Sequence, residues 1–150
     1  MNGLWTWESG LPLDMSISSA SLNAPGNINR PNVSGSPQVF GADGPGQLYF
    51  DSSKFSAPPP NTFGNVGRNV LAGPRLFEID FSIFRRFRIG ERANLEFRAE
   101  SFNLTNTPHF DRPDTNFSDA AFGQVTTARG TQSVQVNENR ALQFSLRLFF

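Results

Sequence analysis

The chain has 150 residues, enough for one domain with a core, and its 13 basic and 13 acidic residues cancel. No charge excess therefore points to nucleic acid or to an acidic substrate. Cysteine is absent, which excludes a disulfide framework and a thiolate metal site, and no run of about 18 apolar residues marks a transmembrane helix.

Met1-Asn-Gly-Leu-Trp-Thr-Trp lacks the basic start of a signal peptide, so Met1 reads as an internal residue or the start of a truncated frame. Residues 1–8 read as the end of a strand whose Trp5 and Trp7 suit a membrane interface, where a ring is half wet. Residues 9–75 carry breakers throughout: Ser9-Gly-Leu-Pro12, Ala24-Pro-Gly26, Arg30-Pro-Asn32, Gly41-Ala-Asp-Gly-Pro-Gly46 and Pro58-Pro-Pro60. A connection that long is functional or disordered in most proteins. Short strands such as Gln47-Leu-Tyr-Phe50 are expected to interrupt it.

Period-two alternation returns at residues 76–87. Phe77, Ile79, Phe81 and Ile83 share one face and Glu78 and Asp80 the other. Arg85 interrupts the apolar face near the strand end, where its stem can lie on lipid while its head reaches water. Arg88-Ile-Gly90 is expected as a three-residue hairpin loop with glycine third. The next strand, 93–104, opposes Leu95, Phe97 and Ala99 to Glu96, Arg98 and Glu100. Pairing Phe87 with Glu91 would set Phe81 against Phe97 and Asp80 against Arg98. A helix would also tolerate these residues, but the alternation and the hairpin favour a strand. Residues 105–139 form a second long connection, with Ser133-Val-Gln-Val136 as the start of the last strand or a small hairpin.

The final strand, 140–150, alternates Leu142, Phe144, Leu146, Leu148 and Phe150 with Gln143, Ser145 and Arg147. Chain ends of soluble proteins are usually exposed and polar, not the most hydrophobic strand. Strands of about 9–11 residues, apolar outward and polar inward, are the signature of a transmembrane β-barrel. The apolar sets of the last three strands are then lipid-facing, and Glu78, Asp80, Glu96, Arg98, Glu100 and Arg147 are lumen-facing. Arginine dominates the basic residues, with Lys54 the single lysine, which suits fixed pairing with carboxylates on such a wall.

No pattern in the chain carries catalytic, cofactor or metal chemistry, and an enzyme is not expected. His109 is the only histidine and reads as a loop residue. Asp111, Asp114, Asn116 and Asp119 lack EF-hand spacing and read as a solvated loop with Asx turns. Gly41–Gly46 lacks the lysine and helix of a phosphate cradle. The paired carboxylates of the strands read as lumen wall.

Phe63-Gly-Asn-Val-Gly-Arg-Asn69, Gly73-Pro74, Asp80-Phe-Ser82, Phe97-Arg-Ala-Glu-Ser-Phe-Asn-Leu-Thr-Asn106 and Arg140-Ala-Leu-Gln-Phe-Ser-Leu-Arg-Leu-Phe-Phe150 together resemble the C-terminal end of TonB-dependent outer-membrane receptors. Trp5-Thr-Trp-Glu-Ser-Gly-Leu-Pro12 and Asn29-Arg-Pro-Asn32 resemble the Oar-like subgroup, whose members carry a carboxypeptidase-regulatory-like domain at the N-terminus. The resemblance implies an all-β antiparallel fold: the last four strands of a barrel of about 22, with two long extracellular loops, unable to close alone. It implies a place in the outer membrane of a Gram-negative type cell and a role in uptake or export of a bulky substrate. The implied partners are outer-membrane lipid, the rest of the receptor barrel and its plug, the TonB energy-coupling complex through an N-terminal part outside this chain, and the barrel-assembly machinery through the last strand. The competing expectation is a soluble secreted β-sandwich or adhesin-like binding module, which would bury the same alternating faces in a core.

Overall fold

The computed structural model describes residues 1–18, 28–41, 44–129 and 139–150. Eight strands are assigned among them: β1 (Asn2–Glu8), β2 (Pro12–Leu13), β3 (Asn32–Val33), β4 (Phe55–Ser56), β5 (Leu71–Ala72), β6 (Leu76–Ile89), β7 (Ala93–Phe102) and β8 (Ala141–Phe149). Four long strands make one antiparallel sheet in the order β1-β6-β7-β8, with β1 and β8 as open edges. Sequence neighbours in this sheet are spatial neighbours, so it is a meander. It is not closed into a barrel.

The connection between β6 and β7 has three residues, Gly90 to Arg92, because Ile89 pairs with Ala93. Gly90 takes a positive φ of 72°, which a side chain would disfavour. Glycine is thus first in the loop, not third, and the loop lies two residues later than Arg88-Ile-Gly90. The pairing moves with it: Phe81 faces Ser101, not Phe97, and Arg98 faces Phe84, not Asp80. Charge explains the preference. Continued along the strands, the expected register would have set Glu78 directly opposite Glu100, and like charges across a sheet repel. The observed register sets Glu100 against Ser82 and Glu96 against Arg86. The slip is four residues, an even number, so every side chain keeps its face.

Both long connections leave the opposite end of the sheet, and they fold onto each other. β2 pairs with β5 and β3 with β4, both within the first connection. Gln47-Leu-Tyr-Phe50 is not a strand but a segment with single bridges, Leu48 to Gln124 and Phe50 to Val39. The second connection crosses the first through Ser16 N–H to the Thr115 carbonyl (3.0 Å) and Phe117 N–H to the Ser16 carbonyl (2.8 Å). Tyr49 N–H likewise donates to the Gly123 carbonyl at 2.7 Å. Leu13, Met15, Tyr49, Phe50, Phe55, Val66, Phe122 and Val125 form one buried cluster inside this cap. Phe50, Phe55 and Phe122 meet pairwise edge to face, with centroids 5.3 to 5.6 Å apart, and Phe117 joins at Phe122. Such contacts add to the area they bury.

Two stretches quoted above for the resemblance close together as one clasp in this cap. Asn65 N–H donates to Asn32 Oδ1 (3.0 Å) and Val33 N–H returns to Asn65 Oδ1 (2.7 Å). A Cβ on Gly64 would stand 2.0 Å from the Arg30 carbonyl oxygen, so only glycine fits. Arg30 grips Asp14 with two parallel hydrogen bonds of 2.5 and 2.7 Å and reaches the Gly67 carbonyl as well. Gly10 meets the backbone of Gly73 where the two ends of the first connection pass, with no room for a Cβ. The expected strand or hairpin at Ser133–Val136 lies outside the described residues, as does Ala24-Pro-Gly26.

Candidate functional site

The four-stranded sheet has two chemically distinct faces, and register decides which side chains share each. One face carries Trp5 and Trp7 of β1, Phe77, Ile79, Phe81, Ile83, Phe87 and Ile89 of β6, Leu95, Phe97 and Ala99 of β7, and Leu142, Phe144, Leu146 and Leu148 of β8. Phe150 follows by alternation and is exposed. All twelve residues expected on the apolar side thus sit on one continuous face. No second layer seals it among the described residues: Phe144 and Leu146 are each 65% exposed, and Trp5 is 71% exposed. The rings meet one another instead, Phe97 stacking on Phe144 at 6.3 Å and Trp5 edge-on to Phe77 at 6.4 Å. Arg85 is the one charged residue on this face.

The opposite face carries Glu78, Asp80, Glu96, Arg98, Glu100 and Arg147, all six of the residues expected on the polar side. They are sorted along the strands. Toward the tight turn stand Arg86, Arg88, Arg98 and Arg147 with Glu96 as their only acid. Toward the cap stand Glu100, Asp80, Glu78 and Glu8. Glu96 is 5% exposed, accepts a 2.6 Å hydrogen bond from Arg86 Nε, and has Arg98 at 3.7 Å. Arg98 also reaches Glu100 at 3.5 Å. A carboxylate this enclosed needs such partners to stay in place. Two apolar intruders on this face are covered by guanidinium groups: Arg98 lies over the Phe84 ring and Arg86 over Phe149.

Cap and wall are joined by residues whose role the sequence pattern did not reveal. β7 ends at Phe102 and not at residue 104, because Asn103 turns into the left-handed region (φ 48°), as does Asn106 (φ 53°). Asn103 is fully buried. Its amide N–H donates to Asp80 Oδ1, its Oδ1 accepts from Thr107 N–H at 3.0 Å, and its Nδ2 donates to the Thr107 carbonyl at 2.9 Å. His109 is 2% exposed, with Nε2 at 2.9 Å from the Phe77 carbonyl, so it extends the edge of β6 above the point where β7 departs. It is a loop residue, as its Thr-Pro-His-Phe context suggests, but one that is buried and anchors the loop to β6. Glu8 and Arg129 pair at 2.7 Å across the same seam. The only available signal was the density of Asn and Thr in Asn103-Leu-Thr-Asn-Thr107, which marks a turn that side chains must satisfy.

The remaining candidates resolve into turn chemistry. Asp114 Oδ1 accepts from Asn116 N–H (2.8 Å), Asn116 Oδ1 from Ser118 N–H (3.2 Å) and Asp111 Oδ1 from Arg112 N–H (2.7 Å). Among the described residues no group of three or more His, Asp or Glu is placed to hold a metal ion. Residues 42 and 43 of the Gly41–Gly46 loop lie outside the described residues. A groove of about 490 Å³ opens at the foot of the cap, lined by Val39, Phe40, Gly41, Tyr49, Pro74, Arg75, Thr107, Pro108 and Phe110. Burial pushes the Tyr49 phenol above its ordinary value, with Arg75 opposing, and its hydroxyl donates to the Ala72 carbonyl at 3.0 Å.

Among the described residues no helix is long and apolar enough to cross a membrane. The chain matches no curated protein and no solved structure. A family model described as an outer membrane beta barrel domain matches residues 1–143. The chain belongs to that outer-membrane β-barrel family, and the outer membrane is where its sheet resides.

Proposed function

We propose that the chain supplies four consecutive wall strands and an ordered extracellular cap of a TonB-dependent transporter of the Oar-like kind. The wall separates lipid from a polar lumen. The apolar face of Phe77, Phe81, Phe97, Phe144 and Leu146 meets hydrocarbon, and the charged face of Glu78, Asp80, Glu96, Arg98, Glu100 and Arg147 meets a plug and water. The observation that carries the reading is the combination of an apolar face that no second layer covers with long connections gathered at one end and a three-residue turn at the other. Outer-membrane barrels have this asymmetry, with short turns toward the periplasm and long loops outside.

The ordered cap supports transport of something larger than a small solute. A simple diffusion pore has little use for long connections packed around their own aromatic core, whereas a receptor must present a defined surface before it admits cargo. Energy coupling and the plug belong to parts of such a transporter other than these four strands. The last strand, with Phe149 and Phe150 at its end, serves as the segment read by the barrel-assembly machinery.

The test is the reading frame that carries the chain. A plug domain, a coupling segment and further alternating strands upstream of Met1 are expected. A frame with alternating strands but no plug would overturn the transporter while leaving the barrel wall intact.

A further inference from the structure

Arg85 stands at an unusual place. It lies on the apolar face, opposite Phe97, with Ile83 and Phe87 as its neighbours two positions away on the same strand. The acids of the adjacent strand, Glu96 and Glu100, project from the other face, so none can neutralise it there. A charge in hydrocarbon is costly at the midplane and cheap near the interface. Arg85 is four residues from the end of β6, about 13 Å along the strand and about 10 Å along the membrane normal at ordinary tilt. Its side chain points the right way: the guanidinium lies over the Phe87 ring, 5.3 Å from the centroid, and Phe87 is two residues nearer the turn.

We infer that Arg85 and the Phe87 ring form a binding spot on this face for the phosphate of an anionic glycerophospholipid in the periplasmic leaflet. The inference rests on the lipid-facing reading above. A planar guanidinium offers paired donors to a phosphate, and the ring beneath it fixes the plane while giving up no polar group. The leaflet follows from the direction of the side chain, toward the short turn and away from the cap. The acyl chains of that lipid then run the other way, toward the midplane, along Phe97, Ile83 and Phe144.

The full chain, reconstituted in phosphatidylcholine vesicles containing brominated lipid or a minor share of phosphatidylglycerol, tests both levels separately. Trp5 and Trp7 lie at the far end of the same face, so quenching by brominated chains reports lipid contact without involving Arg85. With quenching established, native mass spectrometry of the extracted protein should show about a fivefold preference for phosphatidylglycerol over phosphatidylcholine. Arg85→Gln should abolish that preference, Arg85→Lys should keep most of it, and Arg88→Gln on the other face should leave it unchanged. Quenched tryptophans with no preference, or a preference that survives Arg85→Gln, would overturn the inference alone. In a parallel set of vesicles carrying lipopolysaccharide as well, a preference for lipopolysaccharide over phosphatidylglycerol would overturn the leaflet assignment and with it the inference. Unquenched tryptophans would remove the lipid-facing reading itself.

Discussion

The wall and the cap use the same side chain in opposite ways. In the cap, Phe50 is fully buried and held edge to face between Phe55 and Phe122. In the wall, Phe144 is 65% exposed on a surface shared with Leu142, Leu146 and Leu148. A soluble fold could not leave that surface open, since contiguous apolar patches of this extent mark interaction or membrane sites. The contrast says that the two regions answer to different solvents. The cap builds its own interior because water surrounds it, and the wall needs none because lipid supplies the apolar side.

The sharpest way to break this comparison is Phe50→Ala. Truncating a fully buried aromatic costs about 3–5 kcal/mol, and here the loss should fall on the cap alone. Hydrogen exchange should accelerate at the Tyr49 and Val125 amides while amides within the β6–β7 ladder keep their protection. If both regions lose protection together, cap and wall are one cooperative unit and the separation is wrong.

Phe144→Arg probes the other half. Phe144 pairs with Ala99 and lies level with Ile83, midway along the apolar face. Arginine at that depth on a lipid-facing strand should cost about 2–4 kcal/mol, read as a lowered urea midpoint in vesicles. Ser145→Arg, one residue on and across the sheet, should cost almost nothing. The reverse order would exchange the two faces.

The junction should show an intermediate effect. Asn103→Ala loses the bonds to Thr107 and places a side chain that resists the left-handed region at φ 48°. A cost of about 1–3 kcal/mol is expected. Asn103→Gly relieves the backbone but not the missing bonds, so it should recover only part. Full recovery in glycine would mean that the conformation alone matters.

How much of this was legible depended on the range of the signal. Alternation placed Phe77 through Ile83, Leu95 through Ala99 and Leu142 through Leu148 on one face, because a period of two is written in neighbouring residues. Register was not legible to the same degree. A slip of four leaves every residue on its face, so hydropathy cannot see it, and only the charge pairs distinguish the two pairings: Glu78 against Glu100 and Asp80 against Arg98 in one, Glu96 against Arg86 in the other. The cap was least legible. Leu13, Met15, Phe50, Val66 and Phe122 are isolated among prolines and glycines with no common period, and they meet only through contacts far apart in the chain. The residues quoted for the resemblance contain part of that answer, since Asn32, Gly64 and Asn65 turn out to be a clasp. Reading them as one requires knowing that they touch.

The smallest expected effect is also the one that titrates. Arg30 beside Asp14 holds the aspartate carboxyl below its ordinary value, first through the paired hydrogen bonds and then through its charge, against some opposition from burial. The same contact holds the Arg30 guanidinium above its own ordinary value, so Arg30 stays charged throughout. A depressed carboxyl contributes stability that is fully present above the unfolded value of about 4 and is lost as pH falls through the lower folded value. Because both side chains are partly exposed, Asp14→Asn should cost the cap only about 1 kcal/mol at neutral pH. The difference between native chain and variant should shrink as pH falls below about 4 and vanish once the folded carboxyl is protonated, measured as the ratio of their loop-amide protection factors. A difference that persists at low pH would assign the effect to packing around Pro31 and Gly67 instead of to the ion pair. The wall should be indifferent to this substitution at every pH, which makes it the finest measure of how separately the two regions stand.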